Sequence, residues 1–294
     1  MINRLKKIIL LVIFYLIYSI INLLPNLVNK YIGKALGLVF YHLKLRRKVA
    51  EENLTRALGE YYSGRELTEI LKNYYQHLGQ LLLEFFLMNG LWQGNLAEFV
   101  EISDKSILDE ISQREQGIVI YSAHLGNWEW LAALLAQLGF PLTAIAKEQS
   151  LKSFDFALNK FREKAGINIT DHRMGVRKAY QTLRENELLY ILGDQHAPGG
   201  IVLDFFDRPA SVFRGAVHLA SRTGAAILPV FLIRQDFASY RLEIDSPLWL
   251  PEELSKAEEK RWLKKLVRIT ENKIKEYPEQ WTWTHRRWKA DRGK

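Results

Sequence analysis

Apolar positions at 67, 70, 71, 74, 75, 78, 81, 82, 85 and 86 share one face of a helix and predict an α-helix over Glu66–Leu87. From Gly117 the pattern changes to short apolar runs bounded by turns. Gly117–Ser122, Leu142–Ala146, Leu188–Leu192 and Ala226–Ile233 have the length and flanks of buried strands. Helical stretches lie between them at Trp128–Leu138, Leu151–Ala165, Gly175–Glu185 and Val212–Thr223. The alternation predicts an α/β fold, a three-layer, mostly parallel sheet covered by helices. Tyr240–Asp245 alternates apolar and charged residues as an edge strand does, and Glu252–Tyr277 reads as one long basic helix.

The front of the chain follows a different pattern. Ile8–Leu24 is 17 residues without a charge, preceded by Arg4, Lys6 and Lys7 and closed by Pro25, at the lower end of what spans a bilayer. No small-x-small cleavage pattern follows it, so it is expected to stay as a membrane anchor rather than leave as a signal peptide. Tyr31–Leu45, interrupted by Lys34 and ending in Arg46-Arg47-Lys48, suits a helix lying at the interface, with a buried core helix as the plain alternative. Basic residues flank both segments, so charge does not orient them. A boundary near Gly94–Glu101 divides residues 1–94, a membrane-anchor and helical region, from residues 95–294, an α/β domain, and the two can share one core.

At 294 residues and 48% hydrophobic, the chain can bury a substantial core, which excludes the disordered and fibrous classes. The absence of cysteine excludes disulfides, thiolate metal sites and a cysteine nucleophile. A net charge of +8 favours anionic partners, but the basic residues form no recognisable nucleic-acid module. The basic stretch from His285 to Lys294 suits lipid headgroups, the acidic surface of a carrier protein, or simply solvent. Trp281, Trp283 and Trp288 read either as an interfacial belt or as core.

Chemistry is expected where strands end and helices begin, and His124-Leu-Gly-Asn-Trp-Glu129 occupies such a turn. A neutral imidazole there can take the proton of an alcohol attacking a thioester, and Glu129 is positioned in sequence to fix its tautomer. Gly126 would let backbone approach the reacting carbonyl, and the free N–H groups at the start of the Trp128 helix can hold an oxyanion. Of the seven histidines only His124 is followed five residues later by an acid. His172, His196 and His218 lack metal-ligand spacing, so no metal is expected. Asp194 at a strand end is either a turn residue or a site residue, and Arg162 and Arg173 either meet acceptor phosphates or solvate helix ends.

The motif resembles the HX₄(D/E) signature of glycerolipid acyltransferases, in the His-x-Gly-Asn-Trp-Glu form of the late acyltransferases of lipid A biosynthesis. Further matches are Arg47–Leu58 with its Glu-Asn-Leu, Gly193-Asp194-Gln195, Phe205-Phe206 with Pro209-Ala210, and the ending from Gln280 to Lys289. The resemblance implies His124 as general base, Glu129 as its partner, Asp194 at a strand end beside these two, and Gly126, Asn127, Lys147, Arg173 and Asp194 at the substrate. It implies an acyl carrier protein thioester as donor, a phosphorylated glucosamine lipid as acceptor, no cofactor, and a place on the cytoplasmic side of the bacterial inner membrane. Two departures stand out: Lys147 where many relatives carry Arg, and Phe206-Asp207-Arg208 where they have Phe-Phe-Gly. Lysine grips a phosphate only as a point charge, which loosens the implied headgroup. With no Ser or Cys in a nucleophile elbow, direct transfer without an acyl-enzyme is expected. The alternatives are transfer from acyl-CoA to another glycolipid or a lysophospholipid, and a non-catalytic lipid-binding protein.

Overall fold

The computed structural model describes Leu16 and residues 18–91, 96–102, 106–113, 116–146, 152–171 and 175–289. After helical residues 18–23 come α1 (Asn26–His42), α2 (Arg47–Leu58) and α3 (Gly64–Leu91). The body follows as β1 (Val100–Ile102), α4 (Ser106–Gln113), β2 (Ile118–Ser122), α5 (Trp128–Gln137), β3 (Leu142–Ala146), α6 (Lys152–Lys164), β4 (Ile167–Asp171), α7 (Gly175–Arg184) and β5 (Leu188–Leu192). It closes with β6 (Ile201–Phe205), β7 (Arg208–Val212), α8 (Gly215–Thr223), β8 (Ala226–Asp236), β9 (Ser239–Ile244) and α9 (Lys256–Glu276).

Seven strands form one sheet in the order β1-β9-β8-β2-β5-β3-β4, in which only β8 and β9 run antiparallel. β2 is buried along its whole length, as expected of a central strand covered on both faces. The expected edge strand is β9, but it is not an edge, because β1 pairs with it in parallel through Val100↔Tyr240 and Ile102↔Leu242. The expected helix from Val212 begins only at Gly215, since Val212 belongs to β7. β6 and β7 form a separate hairpin turned by Phe206 and Asp207, both at positive φ. Two such residues give the type I′ geometry that matches strand twist, here without the usual glycine.

The helical front packs onto the body: one cluster of buried side chains joins Tyr41, Leu54 and Tyr74 to Tyr121, Ile191 and Trp281. α1 turns Asn29, Gly33, Gly37 and Tyr41 inward. Gly33 and Gly37 let it approach α3 closely, since a Cβ on Gly37 would meet the Tyr75 carbonyl at 2.0 Å. Its other side leaves Leu27, Val28, Tyr31, Ile32 and Val39 exposed. Among the described residues no helix is long and apolar enough to cross a membrane. Most of the expected anchor Ile8–Leu24 lies outside the described residues. Trp281, Trp283 and Trp288 are all buried, so they are core and not an interfacial belt.

Candidate active site

β2 and β5 are parallel neighbours in a register that pairs Ser122 with Leu192. Two residues beyond each of these paired positions stand His124 and Asp194. The imidazole Nδ1 and Asp194 Oδ1 are 2.8 Å apart, and the carboxylate is almost wholly buried. Its other oxygen, Oδ2, accepts the Trp281 indole N–H at 2.7 Å. Burial by itself would raise the Asp194 carboxyl, but the adjoining His124 ring and the Trp281 N–H outweigh it and hold the group below its usual range. The carboxylate is therefore ionised and accepts the hydrogen bond of an Nδ1–H, the tautomer that leaves Nε2 as the acceptor. The ring packs at a tilt against Trp128, with centroids 5.1 Å apart.

Glu129 lies in the first turn of α5, and its carboxylate is held by Arg162 of α6 through Nε at 2.9 Å and NH2 at 2.6 Å. The sequence made Glu129 the partner of His124; the imidazole hydrogen bond goes instead to Asp194, and Glu129 forms a bidentate pair with Arg162. Both side chains of that pair keep some solvent contact, at 15% and 19% exposure, so the carboxylate remains accessible beside the imidazole turn.

Gly126 has φ +61°, and a Cβ there would stand 1.9 Å from the Leu232 carbonyl of β8. Only glycine fits, and the reason is the neighbouring strand rather than an approaching substrate. Asn127, expected at the substrate, is buried and caps α5: its Oδ1 accepts from Trp130 N at 3.1 Å while its Nδ2 donates to Glu84 and to Tyr240. The amides of Gly126 and Asn127 are also committed, to Gln280 O and Leu232 O. Those of Trp128 and Glu129 have no acceptor among the described residues. They form the positive end of α5 beside the imidazole.

Trp281 was not assigned to the site from sequence, although it lies in the C-terminal signature. That segment is bound to the His124 turn: Thr282 N and Oγ1 both donate to His124 O, at 2.9 and 3.0 Å. His285 follows, its Nε2 accepting from His196 N at 3.3 Å. Lys147 and Arg173 lie outside the described residues.

The model of the bacterial lipid A biosynthesis acyltransferases matches residues 3–290. The chain belongs to that family. It is 23% identical over 273 residues to the lipid A biosynthesis palmitoleoyltransferase of Escherichia coli K12, covering 91% of this chain and 87% of that one. The lipid A biosynthesis myristoyltransferase of the same organism matches at 24% over 181 residues, 60% of this chain and 55% of that one. The phosphatidylinositol mannoside acyltransferase of Mycolicibacterium smegmatis matches at 26% over 152 residues, so the match spans only about half the length of that relative.

Proposed function

We propose that this family member transfers a fatty acyl group from an acyl carrier protein thioester to a hydroxyl of a lipid A precursor, with His124 as general base. The observation that carries this reading is the imidazole held through Nδ1 by a buried, ionised Asp194, with Nε2 left as its basic nitrogen. The acceptor hydroxyl gives its proton to Nε2 as its oxygen attacks the thioester carbonyl. Asp194 stabilises the imidazolium so formed. In this reading the amides of Trp128 and Glu129 hold the developing oxyanion. Collapse of the tetrahedral species breaks the C–S bond, and the imidazolium returns the proton to the departing thiolate. No acyl-enzyme is required.

In this reading Glu129 and Arg162 flank the imidazole as a charged pair that positions the acceptor, and Lys147 and Arg173 serve its phosphates. The exposed apolar side of α1, with Lys34 and Lys44 near it in sequence, rests on the anionic inner face of the cytoplasmic membrane. The half-length match to a mannoside acyltransferase supports a second reading, in which the acceptor is another glycolipid.

The test offers membranes carrying wild type or His124→Ala an acyl carrier protein thioester with a tetra-acylated lipid A precursor, and acyl-CoA with other glycolipids. Acylation of the lipid A precursor by wild type, reduced about 10²- to 10⁴-fold in the variant, is expected. Acylation of another glycolipid alone selects the second reading, and transfer to none by folded protein refutes both.

A further inference from the structure

Glu84 of α3 is fully buried, and the Arg234 side chain of β8 that it pairs with is only 7% exposed. Arg234 NH1 meets one carboxylate oxygen and NH2 the other at 2.6 Å, while Nε donates to His77 Nδ1 at 3.0 Å. The remaining capacity of the carboxylate is filled by Ala238 N at 2.9 Å, the Tyr240 hydroxyl and Asn127 Nδ2 at 3.2 Å. An ion pair taken this far from water gains little net stability over apolar residues of the same volume, so stability alone does not account for it.

The connections of the pair reach further. On one side Glu84 and Tyr240 hold Asn127, the residue that caps α5 and directly follows the His124 turn. On the other, Arg234 N donates to Gln280 Oε1 at 2.9 Å, and Gln280 Nε2 returns a bond to Arg234 O at 3.1 Å. The Gln280 carbonyl accepts from Gly126 N at 3.1 Å, and the next residue, Trp281, donates to Asp194. The charge pair thus joins two segments far apart in sequence. One presents the imidazole and the α5 amides; the other braces the carboxylate that orients the imidazole.

We infer that Glu84 and Arg234 are a positioning pair for the acyl transfer proposed above, fixing the His124 turn and the Trp281 segment against each other without touching substrate. The inference rests on that reading for its effect on rate, but its effect on the His124 ring is independent of any substrate. The pair acts through Asn127 and Gln280.

The test compares Glu84→Met, Arg234→Met and the double variant Glu84→Met/Arg234→Met. Each single variant strands a buried polar partner and should lower Tm. The double variant removes both charges into similar volume and should recover part of that loss, the rest remaining with Ala238 N, the Tyr240 hydroxyl and Asn127 Nδ2, which lose their acceptor. Its kcat should nevertheless stay at least about tenfold below wild type with KM little changed, as expected when catalytic groups shift slightly. The ¹⁵N-labelled imidazole of His124 should show loss of the single Nδ1–H tautomer in the same variant. Tyr240→Phe, which removes one hydroxyl bridging Glu84 and Asn127, decides the matter should the double variant fail to fold: its kcat should fall severalfold with little change in Tm. A folded double variant, or failing it Tyr240→Phe, with wild-type kcat and an unchanged His124 signal overturns the inference. If wild type transfers no acyl group, the enzymatic reading fails, and the imidazole signal alone decides this one.

Discussion

His124 and Asp194 are 70 residues apart in the chain, yet their Nδ1 and Oδ1 atoms meet at 2.8 Å because β2 and β5 are parallel and in register. Asp194→Asn keeps the shape but replaces the anion with a group that can donate to Nδ1 and select the opposite tautomer, leaving Nε2 protonated. A loss in kcat of about 10²- to 10⁴-fold is expected, with Tm lowered only modestly. Glu129→Gln should cost less. Steady-state kinetics on the pair of variants checks the order, and a heavier loss in Glu129→Gln returns the orienting role to Glu129.

The pairing of Glu129 with Arg162 gives a second prediction. The two side chains are only 15% and 19% exposed, so Arg162→Met leaves a largely buried carboxylate without its partner and should lower Tm. Activity should respond too, with kcat/KM down about tenfold or more once the carboxylate loses its two-point hold. Arg162→Lys, which keeps the charge but not the fork, should fall between the two. Wild-type kinetics in Arg162→Met would make the pair a structural ion bridge and nothing more.

Trp281 donates to the oxygen of Asp194 that His124 does not use. Trp281→Phe keeps an aromatic ring in the core and removes only that donor. Burial then raises the carboxyl with less to oppose it, so the Asp194 carboxyl rises from its lowered value. In this variant kcat should fall severalfold, because a carboxylate with one donor fewer orients the imidazole and stabilises the imidazolium less well. Wild-type kcat in Trp281→Phe would show that Trp281 serves packing alone.

Much of this was legible in the residues. β2, β3, β5 and β8 are short apolar runs, and their periodicity and the intervening helices lead directly to a mostly parallel sheet. β1 and β4 were not, since Val-Glu-Ile and Ile-Asn-Ile-Thr-Asp are short and mix polar with apolar residues. β9 looks like an edge for a related reason: its alternation is real, and only the tertiary pairing with the three-residue β1 covers it. The His124 turn was found from its motif, but spacing along the chain favoured Glu129 as the partner. The resemblance puts Asp194 beside these two, and strand order, which no local pattern encodes, makes Asp194 the residue bonded to the imidazole. Asn127 shows the same limit, because a cap and a substrate ligand draw on the same residue type.

Acid should loosen the fold before it titrates most carboxylates. Burial, with the neighbouring positive groups, lowers the His285 imidazole to about 4. Burial followed by Arg234 holds His77 well below its ordinary value. Both rings are neutral in the folded chain and titrate near their ordinary value of about 6.5 when unfolded. Between that value and about 4 the unfolded chain binds more protons, so stability is present above pH 6.5 and falls as the pH drops through this window. Asp194, whose folded value is lowered, extends the loss further down, since its contribution disappears only as pH falls through that lowered value. Thermal melts from neutral pH downward should therefore show Tm declining already near pH 6, with His285→Gln flattening part of the slope. A Tm that holds level to pH 4.5 in wild type would mean that neither ring is kept neutral by the fold.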